Sequence, residues 1–136
     1  MKTNLLRTFI AAVLTAASAV AQSSTTLKAN VPFDFIVGNQ TLPAGQYTVD
    51  SRVAFGALMI RSADGKGASI ALAGPLYSTL ARNEGSLVFH RYGYAHFLSQ
   101  VWSPGNNGRQ LPTTGREREL AARLSAPANT TIAAVR

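Results

Sequence analysis

After residue 21, short apolar segments are broken by Gly, Pro, Asn or Asp at intervals of about ten residues, and this punctuation constrains the chain to an antiparallel β architecture. In Val31 to Val37 (VPFDFIV) a period of two puts Val31, Phe33, Phe35 and Val37 on one face and Pro32, Asp34 and Ile36 on the other. The first face is expected to point into a core. Gly38-Asn39 marks one turn and Leu42-Pro43-Ala44-Gly45 a second, because proline presets φ and glycine tolerates the exit. Gln46 to Ser51 resumes as a strand with Tyr47 and Val49 on one face.

Arg52 to Ser62 and Ala68 to Tyr77 flank Ala63-Asp64-Gly65-Lys66-Gly67, a hairpin-turn signal. That string has neither the spacing of a phosphate-binding loop nor a helical pattern behind it. Arg82-Asn83-Glu84-Gly85 is the next turn, Ser86 to Tyr92 and His96 to Ser103 read as a second hairpin, and the polar stretch Pro104 to Pro112 reads as the mobile loop.

One segment reads as a helix, from about Gly115 to Leu124. Thr114 and Glu117 form a capping-box pattern, Glu119 and Arg123 are a favourable i,i+4 pair, and Leu120 and Leu124 share a face. A helix this short is not stable alone in water, so that face is expected to dock on the sheet before Pro127 ends the segment. Residues 126–136 are Ala/Thr-rich and read as a tail or an edge strand. The fold expected is all-β: an antiparallel sandwich or small barrel of about seven strands with one short C-terminal helix. Its core is expected around Phe33, Phe35, Val37, Tyr47, Val49, Phe89, Phe97, Val101 and Leu120.

The first 21 residues have the layout of a cleaved export signal. Lys2 and Arg7 precede an apolar run, Phe9 to Val20, and Ala19-Val20-Ala21 supplies small residues where a signal peptidase reads. The run is shorter than the ~20 residues a membrane span requires and is diluted by Ala, Thr and Ser. The mature chain is thus expected in the periplasm or outside the cell, as one domain over residues 22–125. An outer-membrane barrel is not expected, because the aromatics gather at Phe33 to Phe35 and Phe89 to Trp102 instead of in two girdles.

Absence of cysteine excludes disulfides, thiol nucleophiles and thiolate metal sites. The formal net charge is +7, falling to about +5 without Lys2 and Arg7, and the basic residues are spread along the chain. A nucleic-acid binder would show a clustered basic stripe with interleaved aromatics, and none is present.

The strings VPFDFIVGNQTLPAGQYTV, LVFHRYG followed by HFLSQVW, and REREL together resemble a recurring layout among small exported proteins of unassigned function from soil bacteria such as acidobacteria. The resemblance covers most of Lys28 to Leu124. It implies an exported β-rich domain and carries no activity, cofactor or site.

Both histidines and the only tryptophan lie in the second hairpin. With a three-residue loop Gly93-Tyr94-Ala95, His90, Tyr92, His96, Leu98 and Trp102 share one face, and Leu87, Phe89, Phe97 and Val101 form the core face. A two-residue loop Gly93-Tyr94 sends the histidines to opposite faces. Two histidines without a third ligand do not make a zinc site, and Ser99 stands in no nucleophile-elbow context with an acid that spacing can position. The reading is a non-catalytic structural or protein-interaction module of the cell envelope, with His90, Tyr92, Tyr94, His96 and Trp102 as candidate binding residues, another envelope protein as partner and no cofactor. The alternative is a small-ligand or glycan-binding β-domain that uses Tyr92, Tyr94 and Trp102 as a stacking platform or takes an apolar molecule at a barrel mouth.

Overall fold

The structure, a computed structural model, describes residues 26–51, 56–124 and 126–135; the leader expected over residues 1–21 and the start of the segment Arg52 to Ser62 lie outside them. Eleven strands and one helix are present among the described residues, in the order β1 (Thr26–Val31), β2 (Phe35–Val37), β3 (Gln40–Leu42), β4 (Gly45–Asp50), β5 (Ala57–Ser62), β6 (Ala68–Leu72), β7 (Gly74–Arg82), β8 (Gly85–Tyr92), β9 (Ala95–Trp102), β10 (Gly105–Gln110), α1 (Gly115–Arg123) and β11 (Ala128–Val135). One sheet runs β3-β2-β9-β8-β11-β1-β4-β5-β6 and curls into a nearly closed barrel. All neighbours are antiparallel except β2 and β9, which meet in parallel at Ile36 and Phe97. The second half of β9 pairs with β10, and β10 with β7, so these two strands form a ribbon branching from the barrel.

The β-rich class and the single helix agree with the sequence, and of the two architectures expected the sheet takes the barrel-like one, whereas the strand number is eleven instead of about seven. The difference arises at breaks that do not interrupt apolar character. VPFDFIV is not one strand. Pro32, which has no N–H to donate to a ladder, follows the end of β1. The chain then turns through Phe33 and Asp34, and the Asp34 carboxylate accepts the Ala44 N–H at 2.9 Å, tying this corner to the LPAG turn. As a result β1 lies between β11 and β4 while β2 lies between β3 and β9.

Ala68 to Tyr77 divides likewise at Ala73, whose N–H donates to the Gly56 carbonyl at 2.7 Å. The stretch expected as a mobile loop supplies β10. Residues 128–135, read as a tail or edge strand, lie inside the sheet, bonded to β8 on one side and β1 on the other.

The barrel interior is filled by Val31, Phe35, Val49, Ile60, Leu87 and Phe89 among others, all essentially excluded from water. Phe35 meets Tyr47 and Phe89 edge-on at ring separations of 4.9 and 5.5 Å, a favoured aromatic geometry. The Tyr47 hydroxyl donates to the Pro43 carbonyl at 2.5 Å, which gives its polar end a partner at the barrel rim. A second, smaller cluster of Ile36, Tyr92 and Phe97 lies on the outer face and is covered by Ala95 and Leu120. Phe97 thus belongs beneath the helix and Leu98 takes its expected place in the interior.

Candidate functional site

The register of the β8–β9 hairpin places the chemistry-bearing residues. Tyr92 pairs with Ala95, leaving a two-residue turn of Gly93 and Tyr94, and Gly93 adopts a positive φ of 60° that favours glycine. Arg91 therefore faces His96, and His90 faces Phe97. This is the shorter of the two loops, and it puts the histidines on opposite faces. The shared His90/His96 face expected from the three-residue loop is not formed.

Farther along, Phe89 pairs with Leu98 and Val88 with Gln100, so Ser99 is the extra residue of a β-bulge. The bulge resets the alternation. Leu98 and Val101 fill the barrel with Leu87 and Phe89, while Ser99 joins His90 on the outer face.

Helix α1 crosses that outer face. Thr114 is its N-cap, its Oγ1 accepting the Glu117 N–H at 3.3 Å, which is half of the expected capping box. The other half is absent because the Glu117 side chain turns inward and is 5% exposed. Its Oε1 lies 2.7 Å from His90 Nδ1 and accepts the Tyr92 hydroxyl at 3.1 Å. At the far side of the imidazole, His90 Nε2 lies 3.2 Å from Ser99 Oγ.

The chemistry of the partners assigns the protons. A carboxylate oxygen can only accept, so Nδ1 carries a hydrogen, and in the neutral imidazole Nε2 is left to accept from the Ser99 hydroxyl. Burial, then the neighbouring Glu117, pushes the Tyr92 phenol pKa above its ordinary value, keeping it a neutral donor. Ser99, His90 and Glu117 thus form a hydroxyl–imidazole–carboxylate chain spanning β9, β8 and α1, and Leu120 packs beside it.

The remaining candidates lie elsewhere. The His96 ring stacks on Phe33 at 3.8 Å, its Nδ1 is buried without a hydrogen-bond partner, and burial followed by the Arg91 charge lowers its pKa. Tyr94 is fully exposed at the turn tip. Trp102 is buried at the base of the ribbon, its Nε1 donating to Gln100 Oε1 at 2.9 Å and the Arg82 guanidinium lying 4.2 Å above its ring. Of the five residues singled out by sequence, only His90 and Tyr92 converge. Ser99 and Glu117, which complete the cluster, were not among them. Glu117 precedes Leu120 by three residues and Leu124 by seven, a helical spacing that places it on the buried face.

A cavity of about 470 Å³ opens beside the chain, where the two ends of the sheet approach each other. Val37 and Gln40 line it from the β2–β3 end, Ser69 and Leu72 from β6, Leu111 from the segment leading into α1 and Glu117 from α1 itself. Among the described residues no group of three or more His, Asp or Glu side chains could hold a metal ion. No helix among them is long and apolar enough to cross a membrane. Comparison with known proteins found no matching family model, no matching curated protein and no matching solved structure.

Proposed function

We propose that this chain is an exported interaction module of the cell envelope, and that its binding site is the open seam of the barrel instead of the Tyr92/His96/Trp102 face. The supporting observation is that the sheet path ends at β3 and β6, two edge strands flanking the 470 Å³ cavity. An edge strand presents unpaired N–H and C=O groups to any extended segment that enters beside it. On β6 the alternate residues Ile70 and Leu72 are 64% and 72% exposed, an apolar pair at strand spacing beside that edge. These features suit an extended peptide segment of a partner protein, bound by main-chain hydrogen bonds with alternate side chains entering the seam. Tyr92 and Trp102 are buried, which removes two of the three rings of a glycan-stacking platform.

The test is thermal unfolding of the protein against extended peptides of alternating apolar sequence, envelope glycans and apolar small molecules, because a ligand of the native state raises the midpoint. A concentration-dependent rise with a peptide, abolished by Ile70→Lys at the edge, supports the seam reading. A rise only with a glycan or apolar molecule replaces it with the small-ligand reading. No rise with any member overturns both.

A further inference from the structure

We propose that Ser99 is a nucleophile for acyl transfer, with His90 as its general base and Glu117 as the residue positioning the imidazole. The proposal shares only Glu117 with the lining of the seam cavity and rests on the Ser99–His90–Glu117 hydrogen bonds instead of on the sheet edges. A serine activated by an imidazole that is itself oriented by a third group is the arrangement by which nucleophilic catalysis is recognised, whatever the fold. Here the three groups come from three elements, with separations of 3.2 and 2.7 Å in the required order. Sequence spacing could not position an acid for Ser99, and the fold brings Glu117 to it from α1. The two-residue turn sets the ladder that puts Ser99 on the face of His90, and the bulge at Ser99 lies beside that contact, a place where bulges are frequent in active sites.

The chemistry balances without a cofactor. Ser99 Oγ forms a bond to the acyl carbon of an ester while its proton passes to His90 Nε2. The ester C–O bond then breaks, and the leaving oxygen takes that proton from Nε2, releasing an alcohol and leaving acyl-Ser99. Water adds to the same carbon with its proton passing to Nε2. The Oγ–carbon bond breaks, the proton returns to Ser99 and a carboxylic acid departs. Glu117 stabilises the imidazolium formed in each half, and the Tyr92 hydroxyl holds the carboxylate in place. Access restricts the substrate. Ser99 is 5% exposed whereas the His90 side chain is 27% exposed, so the acyl group must be slim and enter over the imidazole, which suits esters of short acyl chains and excludes bulky amides.

The experiment treats the full chain with a small fluorophosphonate, maps any adduct by mass, and measures p-nitrophenyl acetate hydrolysis. The expected result is one adduct at Ser99 and a turnover that falls at least ~100-fold in Ser99→Ala. In Glu117→Gln kcat falls while KM for p-nitrophenyl acetate is unchanged, a split that loss of packing alone would not produce. No adduct, an adduct elsewhere, or turnover retained in Ser99→Ala overturns the proposal. Ser99→Cys keeps the size of the side chain and introduces the chain's only thiol. If this thiol resists a small alkylating reagent in the native protein, position 99 is closed to substrates and the proposal fails.

Discussion

Trp102 lies across Gly108 on the neighbouring strand, so closely that a Cβ at position 108 would stand 2.7 Å from the indole. The two residues are cross-strand partners in the β9–β10 ladder. The glycine therefore leaves room for the ring, and the ring covers backbone that a glycine would otherwise expose. The Arg82 guanidinium also lies 4.2 Å above the ring, at the point where the β7–β10 ribbon leaves the barrel.

Gly108→Ala should force the indole outward and destabilise the protein by about 1–3 kcal/mol, the usual cost of overpacking. The chain has one tryptophan, so its fluorescence reports the site directly. An unshifted emission maximum and an unchanged denaturant midpoint would show that the ring is not confined.

Glu117→Ala removes the acceptor shared by His90 and Tyr92 and leaves the buried phenol without its bond. The expected loss is about 1–3 kcal/mol, and Tyr92→Phe in that background should restore part of it by deleting the orphaned hydroxyl. A double-mutant cycle by chemical denaturation measures both effects. Strict additivity of the two substitutions would mean that the Tyr92–Glu117 bond contributes nothing.

His96 gives the stability an acid-sensitive component. Its pKa is lowered in the folded protein by burial and by Arg91, so the unfolded chain binds the proton more readily. Stability is complete above the ordinary histidine value of 6.5 and declines as pH falls through it toward the lower folded value. His96→Phe, which retains a ring on Phe33 and removes the unpartnered Nδ1, should flatten that part of the pH profile. A slope below pH 6.5 identical to that of the parent protein would exclude His96 as its source.

Phe35→Ala should cost about 3–5 kcal/mol, because the side chain is 1% exposed and its ring contacts both Tyr47 and Phe89. Urea denaturation measures it. A loss below about 1 kcal/mol would mean that the barrel collapses around the void or that the ring is not in the core.

Much of the core was legible residue by residue. Phe35, Val37, Tyr47, Val49, Phe89 and Val101 are buried as their alternation requires, and α1 occupies Gly115–Arg123 between Thr114 and Pro127. Phe33 departs from that pattern. It shares the parity of Phe35, yet it lies at a corner and is only partly buried, with its ring on His96. Leu124 shares the helical face of Leu120 but remains 44% exposed.

The candidate site was legible only in part. His90 and Tyr92 were identified from their hairpin, but His90 meets Glu117 27 positions along the chain. The bulge at Ser99 has no signature in the string FLSQVW, since an inserted residue there looks like any other strand residue.

By itself the sequence determined the β-rich class, the turns, the helix and most of the apolar interior. These depend on short-range terms: period-two alternation, the dihedral limits of Pro and Gly, and capping. Tertiary structure decided which strands are neighbours, how the barrel leaves its seam between β3 and β6, and that Ser99, His90 and Glu117 meet. Those outcomes depend on register and closure. A one-residue difference in the Gly93-Tyr94 turn exchanges the faces of β9, and a one-residue bulge at Ser99 exchanges them back. Such shifts cost little locally and are selected by burying Leu98 and Val101 in the same barrel as residues from distant segments of the chain.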